Sequence, residues 1–304
     1  MKKVVLAGGT GHLGSLLAKA FVCQGWSVVI LTRNVARELE KNIEWVEWDG
    51  ENLGNWCKSL EGADTVINLS GKSIQCRFTD GNKKEMYDSR INPTRILADC
   101  IQSLSLKPKL WINFSGVSLF NGLKTWQDED SVEIGTGFLA TLSRDWEKAF
   151  FEKSMGSVNQ VVLRISPVLS PKSGFFGELL PLVKLGLGGQ VADGKQWMNW
   201  IHEEDLIRLI FWLIDHNSPS KIYHACSPKA ISNASFMSVF RKIVGISFGL
   251  PLPSLLAKIG ARVKGVDSSL LLDSVPVITT KTIEEGFVFL YPNAELAIEQ
   301  LLHK

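Results

Sequence analysis

Tyrosine is scarce in this 304-residue chain. There are three, Tyr87, Tyr223 and Tyr291, against 15 Phe and 10 Trp. The shortage matters because a phenol is a common general acid, and few positions remain to supply one. Cysteine is sparse too. Cys23, Cys57, Cys76, Cys100 and Cys226 are odd in number and never in C-x-x-C spacing. That argues against a zinc site and a disulfide framework, and it fits a reducing, cytoplasmic setting. The default expectation for all five is a small buried hydrophobe. No apolar run approaches the ~18–20 residues of a spanning helix, and the most hydrophobic stretch, 206–214, is interrupted by Arg208. No membrane partner is expected. The start, Met1-Lys2-Lys3, resembles a secretory leader only until the apolar run ends at Gly8 and Gly9. An excess of one charge is also missing. The chain has 33 Lys and Arg against 31 Asp and Glu, a net of +2, too balanced for dependence on nucleic acid through a basic face. No repeat of 20–50 residues is visible.

What is present is a chain long enough for roughly two domains at about 150 residues each. Short apolar runs at 3–7, 28–32, 44–48, 65–69, 110–115 and 161–165 alternate with helix-like stretches at 12–24, 53–59, 84–104 and 138–153. Most of the runs are continuous, as strands covered on both faces are. The pattern predicts an α/β fold, a Rossmann-type doubly wound parallel sheet with a smaller mixed C-terminal lobe. Pro93 predicts a kink or a split in the third helix. After 165 the texture changes, with Pro167, Pro171, Gly174 and Gly177 in a loop and helices predicted over 203–215, up to Val244 from a cap at Ser232 or Asn233, and after Asn293. The expected division is 1–165 for nucleotide binding and 166–304 for a substrate lobe interleaved with it.

The strongest local signal is Ala7-Gly8-Gly9-Thr10-Gly11-His12-Leu13-Gly14, after the first strand and opening the first helix. A dinucleotide pyrophosphate needs this arrangement. Gly8 permits the tight turn, Gly11 lets the backbone approach the phosphates, and Gly14 lets helix and strand pack closely. The helix N-terminus adds unpaired N–H donors. Thr10, His12 and Leu13 share the loop and are candidate cofactor contacts. An NAD site usually carries an acid about 20 residues on, yet 28–37 contains none. Arg33 instead offers a planar cation for a 2′-phosphate, with Thr32 and Arg37 beside it. NADP(H) is therefore the expected cofactor. Asp49 stands where an adenine amino group is often met, and Leu69-Ser70-Gly71 ends the fourth strand on the expected cofactor path.

These pieces resemble the extended short-chain dehydrogenase/reductase superfamily, as in nucleotide-sugar epimerases. Asn68-Leu69-Ser70-Gly71-Lys72-Ser73-Ile74, Asp88-Ser89-Arg90, Leu185-Gly186-Leu187-Gly188-Gly189, Trp200-Ile201-His202-Glu203-Glu204-Asp205-Leu206 and Glu285-Gly286-Phe287-Val288-Phe289 resemble its "epimerase family protein" branch. This branch comprises NAD-dependent epimerase/dehydratase-like proteins. The likeness runs from about residue 3 to 302. It implies that Thr32 and Arg33 meet the adenosine 2′-phosphate, that Leu69 and Ser70 line the cofactor, that Glu85 and Arg90 lie near it, and that Val168 sits near the nicotinamide. Glu85 and Arg90 are five residues apart, so one helix face does not hold both neatly.

The superfamily's usual proton donor is Tyr-x-x-x-Lys, in which the lysine lowers the phenol pKa. Four residues after the three tyrosines stand Ile91, Ser227 and Glu295, so the dyad is absent. Aligning Glu147 with the acid that commonly follows the dyad puts Leu139 in the tyrosine slot and Ser143 in the lysine slot. Remaining candidates for proton transfer or substrate binding are Ser115, Ser118 and His202. Bland readings compete with each: a turn serine, or a histidine that orients its loop. Asp128-Glu129-Asp130 reads as a solvated acidic run. Arg77, Lys172 and Lys195 are available to an anionic substrate, and Trp197 and Trp200 to a ring, although core packing is the default for tryptophan. The expected function is an NADP(H)-dependent oxidoreductase or epimerase-like enzyme acting on an unidentified small molecule. The competing expectation is an NADP(H)-binding sensor without chemistry. Pairing into an oligomer through helices 84–104 and 138–153 is a further expectation by fold analogy.

Overall fold

The computed structural model describes residues 1–35, 42–171, 174–216 and 221–303. Arg37 and Lys172, singled out above, lie outside them. The strands of the main sheet are β1 (Lys3–Ala7), β2 (Ser27–Thr32), β3 (Ile43–Glu47), β4 (Thr65–Asn68), β5 (Leu110–Gly116), β6 (Asn159–Ile165) and, much later, β10 (Ile222–Ala225). Their order is β10-β6-β5-β4-β1-β2-β3, and every pairing is parallel. The order reverses between β1 and β4, the point at which a doubly wound sheet opens a crevice beyond its strand ends. The expected fold class is the observed one.

Alternation along β1 shows how sequence becomes layers. Val4 and Leu6 enter one apolar cluster with Leu17 and Phe21 of α1 (His12–Cys23). Val5 and Ala7 enter another with Leu97 and Ile101 of α2 (Asp80–Ser103) and Phe150 of α3 (Phe138–Phe151). Side chains two apart share a face, so a strand apolar at every position demands helices on both sides. Pro93 does not split α2; the helix runs from Asp80 to Ser103 with Pro93 buried inside. The Pro93 ring packs against Gly50, where an added Cβ would lie 3.2 Å from it.

The remaining elements come from the second half. They are β7 (Val168–Leu169), α4 (Gly174–Lys184), β8 (Trp197–Met198), β9 (Ile201–His202), α5 (Glu203–Asp215), β11 (Ile231–Ser232), α6 (Asn233–Val244), α7 (Ser254–Lys264), α8 (Ser269–Leu272), α9 (Lys281–Glu284) and α10 (Ala294–Leu302). β7 pairs with β9 in parallel and β8 with β11 antiparallel. Phe176, Phe236, Phe240, Trp200 and Ile298 form a separate core there. The halves are not cleanly cut, because α5 packs Leu206, Leu209 and Leu213 into the β1 cluster and β10 joins the main sheet. Ser232 caps α6 by accepting the Ser235 N–H, and Asn293 caps α10 by accepting that of Leu296. Among the cysteines only Cys100 and Cys226 are buried; Cys23 is exposed, and Cys57 and Cys76 are intermediate. The expectation of five buried thiols is corrected, since Cys23 ends α1 at the surface.

Candidate functional site

The crevice at the switch point is built by glycines that differ in purpose. Gly8 has φ +72°, and a Cβ there would lie 2.8 Å from Ser70 Cα. The turn after β1 therefore presses on the turn after β4. Gly14 sits in the first turn of α1, where a Cβ would lie 2.2 Å from Gly9 O, so helix and loop touch backbone to backbone. Around Gly11 an added Cβ meets nothing. Gly11 is the N-cap of α1 and supplies no side-chain acceptor, which leaves the positive helix end facing open space. His12 bridges this loop to the second half, its Nε2 2.8 Å from Ser170 Oγ. Leu13 packs against the β1 cluster.

Ser70 is buried, and its Oγ has no partner among the described residues. Its N–H donates to Asn68 Oδ1 at 3.1 Å. Asn68 in turn donates to Thr94 Oγ1 at 2.9 Å and Asn113 Oδ1 at 2.7 Å, and Trp146 Nε1 donates to the same threonine at 2.8 Å. This buried chain ties β4, β5, α2 and α3 together beneath the crevice. An unsatisfied buried hydroxyl on such a support needs an explanation, and a ligand is one.

Arg90 lies against Gly71, where a Cβ would come within 2.8 Å of its guanidinium carbon, and over the Trp146 ring at 5.1 Å. It donates to Met86 O at 3.0 Å. Burial lowers its pKa to about 10, and no carboxylate pairs with it among the described residues. Glu85 forms an ion pair with Lys72. Arg90 and Glu85 thus sit on different faces of α2, as their five-residue spacing predicts, Arg90 largely buried against Gly71 and Glu85 exposed and joined to the neighbouring Lys72. Arg33 is exposed just past β2. The Thr32 hydroxyl is engaged with its own turn, accepting the Asn34 N–H at 3.1 Å. Asp49 folds onto its own loop, accepting from the Asn52 side chain at 2.7 Å and from the Asn52 and Glu51 N–H groups. Those bonds hold its pKa at about 2. Leu69 and Val168 border the same core cluster.

At the end of β5, Ser118 Oγ and Ser143 Oγ are 3.2 Å apart above Gly116, with Ser118 half-buried. Ser115 donates to Glu147 Oε1 at 2.7 Å. Glu147 forms a two-point pair with Arg164, Nε to Oε1 at 3.0 Å and Nη2 to Oε2 at 2.9 Å. Arg164 packs over Phe120 and reaches His224 Nε2 at 3.4 Å. His224 Nδ1 lies 2.8 Å from Ile278 O, which fixes that nitrogen as the donor. None of Glu147, Arg164 and His224 stood among the candidates. Their signal was present in polar residues inside or beside apolar runs.

Burial pushes the His224 imidazole below the ordinary histidine range; the Arg164 charge adds to this and Glu129 opposes it. Unfolded, the same ring takes a proton as pH falls through about 6.5, so its contribution to stability is present above that pH and is lost below it. The melting temperature should therefore fall between about pH 7 and about pH 5.5, and less steeply in His224→Gln. Equal slopes in the two proteins would remove His224 as the cause.

Two expectations need correction. His202 is fully buried and caps α5: its Nδ1 accepts the Glu204 N–H at 3.2 Å, its Nε2 meets Gln300 Oε1 at 2.9 Å, and its ring lies on Tyr291. With both nitrogens engaged it has no free position for a substrate proton. Glu129 is not solvated. It is 3% exposed and accepts the N–H groups of Thr280, Lys281 and His224. Arg77 donates to Arg262 O, and Trp200 is buried in the second-half core. Trp197 stacks obliquely on the half-exposed Trp126, and Lys195 stays exposed.

The tyrosines end alike. Tyr87 donates to Asp145 at 3.4 Å, Tyr223 to Glu285 at 2.6 Å and Tyr291 to Glu204 at 3.1 Å. For Tyr87 and Tyr291, burial and then the adjoining carboxylate raise the phenol pKa. A lysine-activated phenol has the opposite environment.

A parallel sheet of this order, with a glycine loop at its reversal point, defines an α/β protein of the dinucleotide-binding type. A model of the NAD dependent epimerase/dehydratase family matches residues 4–226. The chain belongs to that family. Epimerase family protein YfhF of Bacillus subtilis is 30% identical over 300 residues, covering 98% of this chain and 97% of the relative. Human epimerase family protein SDR39U1 is 28% identical, with 99% of each chain covered. The crystal structure of the human protein with NADPH superposes at a TM-score of 0.87 and 27% identity, over 99% of both chains. UDP-glucuronic acid 4-epimerase from Bacillus cereus, at a TM-score of 0.72 and 17% identity over 99% of both chains, shares the fold.

Proposed function

We propose that the chain is an NADP(H)-dependent oxidoreductase or epimerase-like enzyme for a small molecule, working without the Tyr-x-x-x-Lys dyad. The observation that carries this is the crevice itself: Gly8 pressed on Ser70, an uncapped α1 N-terminus, open space at Gly11, and a buried Ser70 hydroxyl without a partner. These features fit a pyrophosphate, to which a helix N-terminus readily donates through its free N–H groups. The NADPH of the human relative supports the same choice of cofactor. Gly8, Thr10, Gly11, His12, Leu13 and Gly14 would hold the phosphates. Thr32 and Arg33 would hold the 2′-phosphate, with Asp49 near the adenine, and Leu69, Ser70, Gly71, Glu85, Arg90 and Val168 would line the remaining path.

The cofactor supplies a hydride donor or acceptor. The chain's part is to hold the reacting oxygen. Ser118 is the half-buried member of the Ser118–Ser143 pair and can donate to a substrate oxygen. Ser115 holds its position through Glu147. Residues 1–165 carry the cofactor in this reading, and 166–304 close over the substrate. A second reading, binding without chemistry, is favoured by one fact: every tyrosine donates to a carboxylate.

NADPH-loaded protein screened against nucleotide-sugars, aldehydes and quinones separates the two. The oxidoreductase form of the enzyme reading expects net cofactor oxidation with at least one of them, and the epimerase-like form, which returns its hydride, expects a new sugar epimer without net oxidation. It also expects Ser118→Ala to lower kcat by about a hundredfold, the scale of a lost transition-state donor, with NADPH affinity unchanged. Tight NADPH binding and no turnover across the panel would establish the second reading instead.

A further inference from the structure

Helix α7 is turned inside out. It buries only Ala257 and Ala261. Its large apolar residues face solvent: Leu255 at 67% exposure, Leu256 at 52%, Ile259 at 51% and Val263 at 83%. At about 100° per residue these four occupy a single arc of about 100°, opposite the two alanines. Lys258 and Arg262 border one edge of that arc, and both are exposed. The next cation, Lys264, is paired with Glu178. Between 245 and 266 there is no Asp or Glu at all. Phe248 and Leu250, just before the helix, are also exposed. Scattered surface leucines need no explanation, but a continuous stripe of large residues on the outer face of one helix does.

We infer that this face of α7 seats on an anionic phospholipid surface. Charge selects that occupant. An apolar stripe edged by cations and free of acids is the pattern of a helix lying in the membrane interface, its apolar side among acyl chains and its cations at the headgroups. A second copy fits poorly, because a twofold pairing of stripe on stripe brings Lys258 and Arg262 against their own equivalents with no acid to offset them. Among the described residues no helix is long and apolar enough to cross a membrane; α7 lies on the surface and does not span it. Its position also links it to the candidate site. Arg77 donates to Arg262 O, and Asp267 N–H donates to Cys76 O. These bonds tie the end of α7 to the loop that begins at Ser70 and Gly71.

The test is co-sedimentation of the full chain with vesicles of phosphatidylcholine alone and of phosphatidylcholine with one third phosphatidylglycerol. Binding is expected to the anionic vesicles and to weaken with salt. Leu256→Ser with Val263→Ser, and separately Lys258→Glu with Arg262→Glu, should each reduce it about tenfold or more, with thermal unfolding unchanged because the side chains are exposed. No binding at low salt would overturn the inference, as would binding that neither pair of changes weakens. Self-association in sedimentation velocity, abolished by Val263→Ser and without vesicle binding, would assign the face to a second copy and also overturn it.

Discussion

Replacing Glu147 by alanine is expected to cost about 3–5 kcal/mol of folding stability, the scale for stranding one partner of a buried ion pair. The reason lies in what remains. Arg164 is 4% exposed and loses both of its carboxylate contacts. Its other neighbours, the Phe120 ring and His224 Nε2, carry no negative charge. A double change, Glu147→Leu with Arg164→Met, should recover much of the loss, since apolar pairs of similar volume often match a buried ion pair. Urea unfolding of the three variants measures this. A single-variant loss below about 1 kcal/mol, the scale of an exposed pair, would show that the pair is wetter than its geometry implies.

Arg33→Asp is expected to weaken NADPH binding by roughly a hundredfold or more while changing NADH binding little. Charge-assisted hydrogen bonds to a phosphate contribute ~1.5–3 kcal/mol, and a carboxylate adds repulsion to the loss. Every ~1.4 kcal/mol is tenfold in affinity. Arg33 is exposed, so the change leaves the core alone, and Thr32, whose hydroxyl is engaged with Asn34, does not compensate. Fluorescence titration with both cofactors reads the ratio. Equal losses for NADPH and NADH would place the 2′-phosphate elsewhere.

The strands that were legible share a physical cause. β1, β2, β4, β5 and β6 are covered on both faces, so each needs an apolar run that is visible without its partners. β10 escaped because it is four residues long and half its length is Tyr223 and His224. Their burial is made possible by Glu285, Arg164 and the Ile278 carbonyl, all distant in sequence. Glu129 was misread for the same reason. The N–H groups that satisfy it belong to 280 and 281, some 150 residues on. The glycine loop was legible because its requirements are local. The Ser115–Glu147–Arg164–His224 network was not, because it exists only once three strands and a helix meet. α7 shows the converse: its apolar residues lie at helical spacing, and only the structure shows that they face outward.

The place of β10 sets an order on synthesis. β6 is complete by Ile165, yet the strand that pairs with its outer edge arrives only at Ile222. While the ribosome delivers the intervening residues, β6 presents an open row of backbone donors and acceptors, and α5 is not yet there to cover Leu163 and its neighbours. A fragment stopped near 165 would therefore carry a sticky edge into solution. Closure of that edge waits on β10.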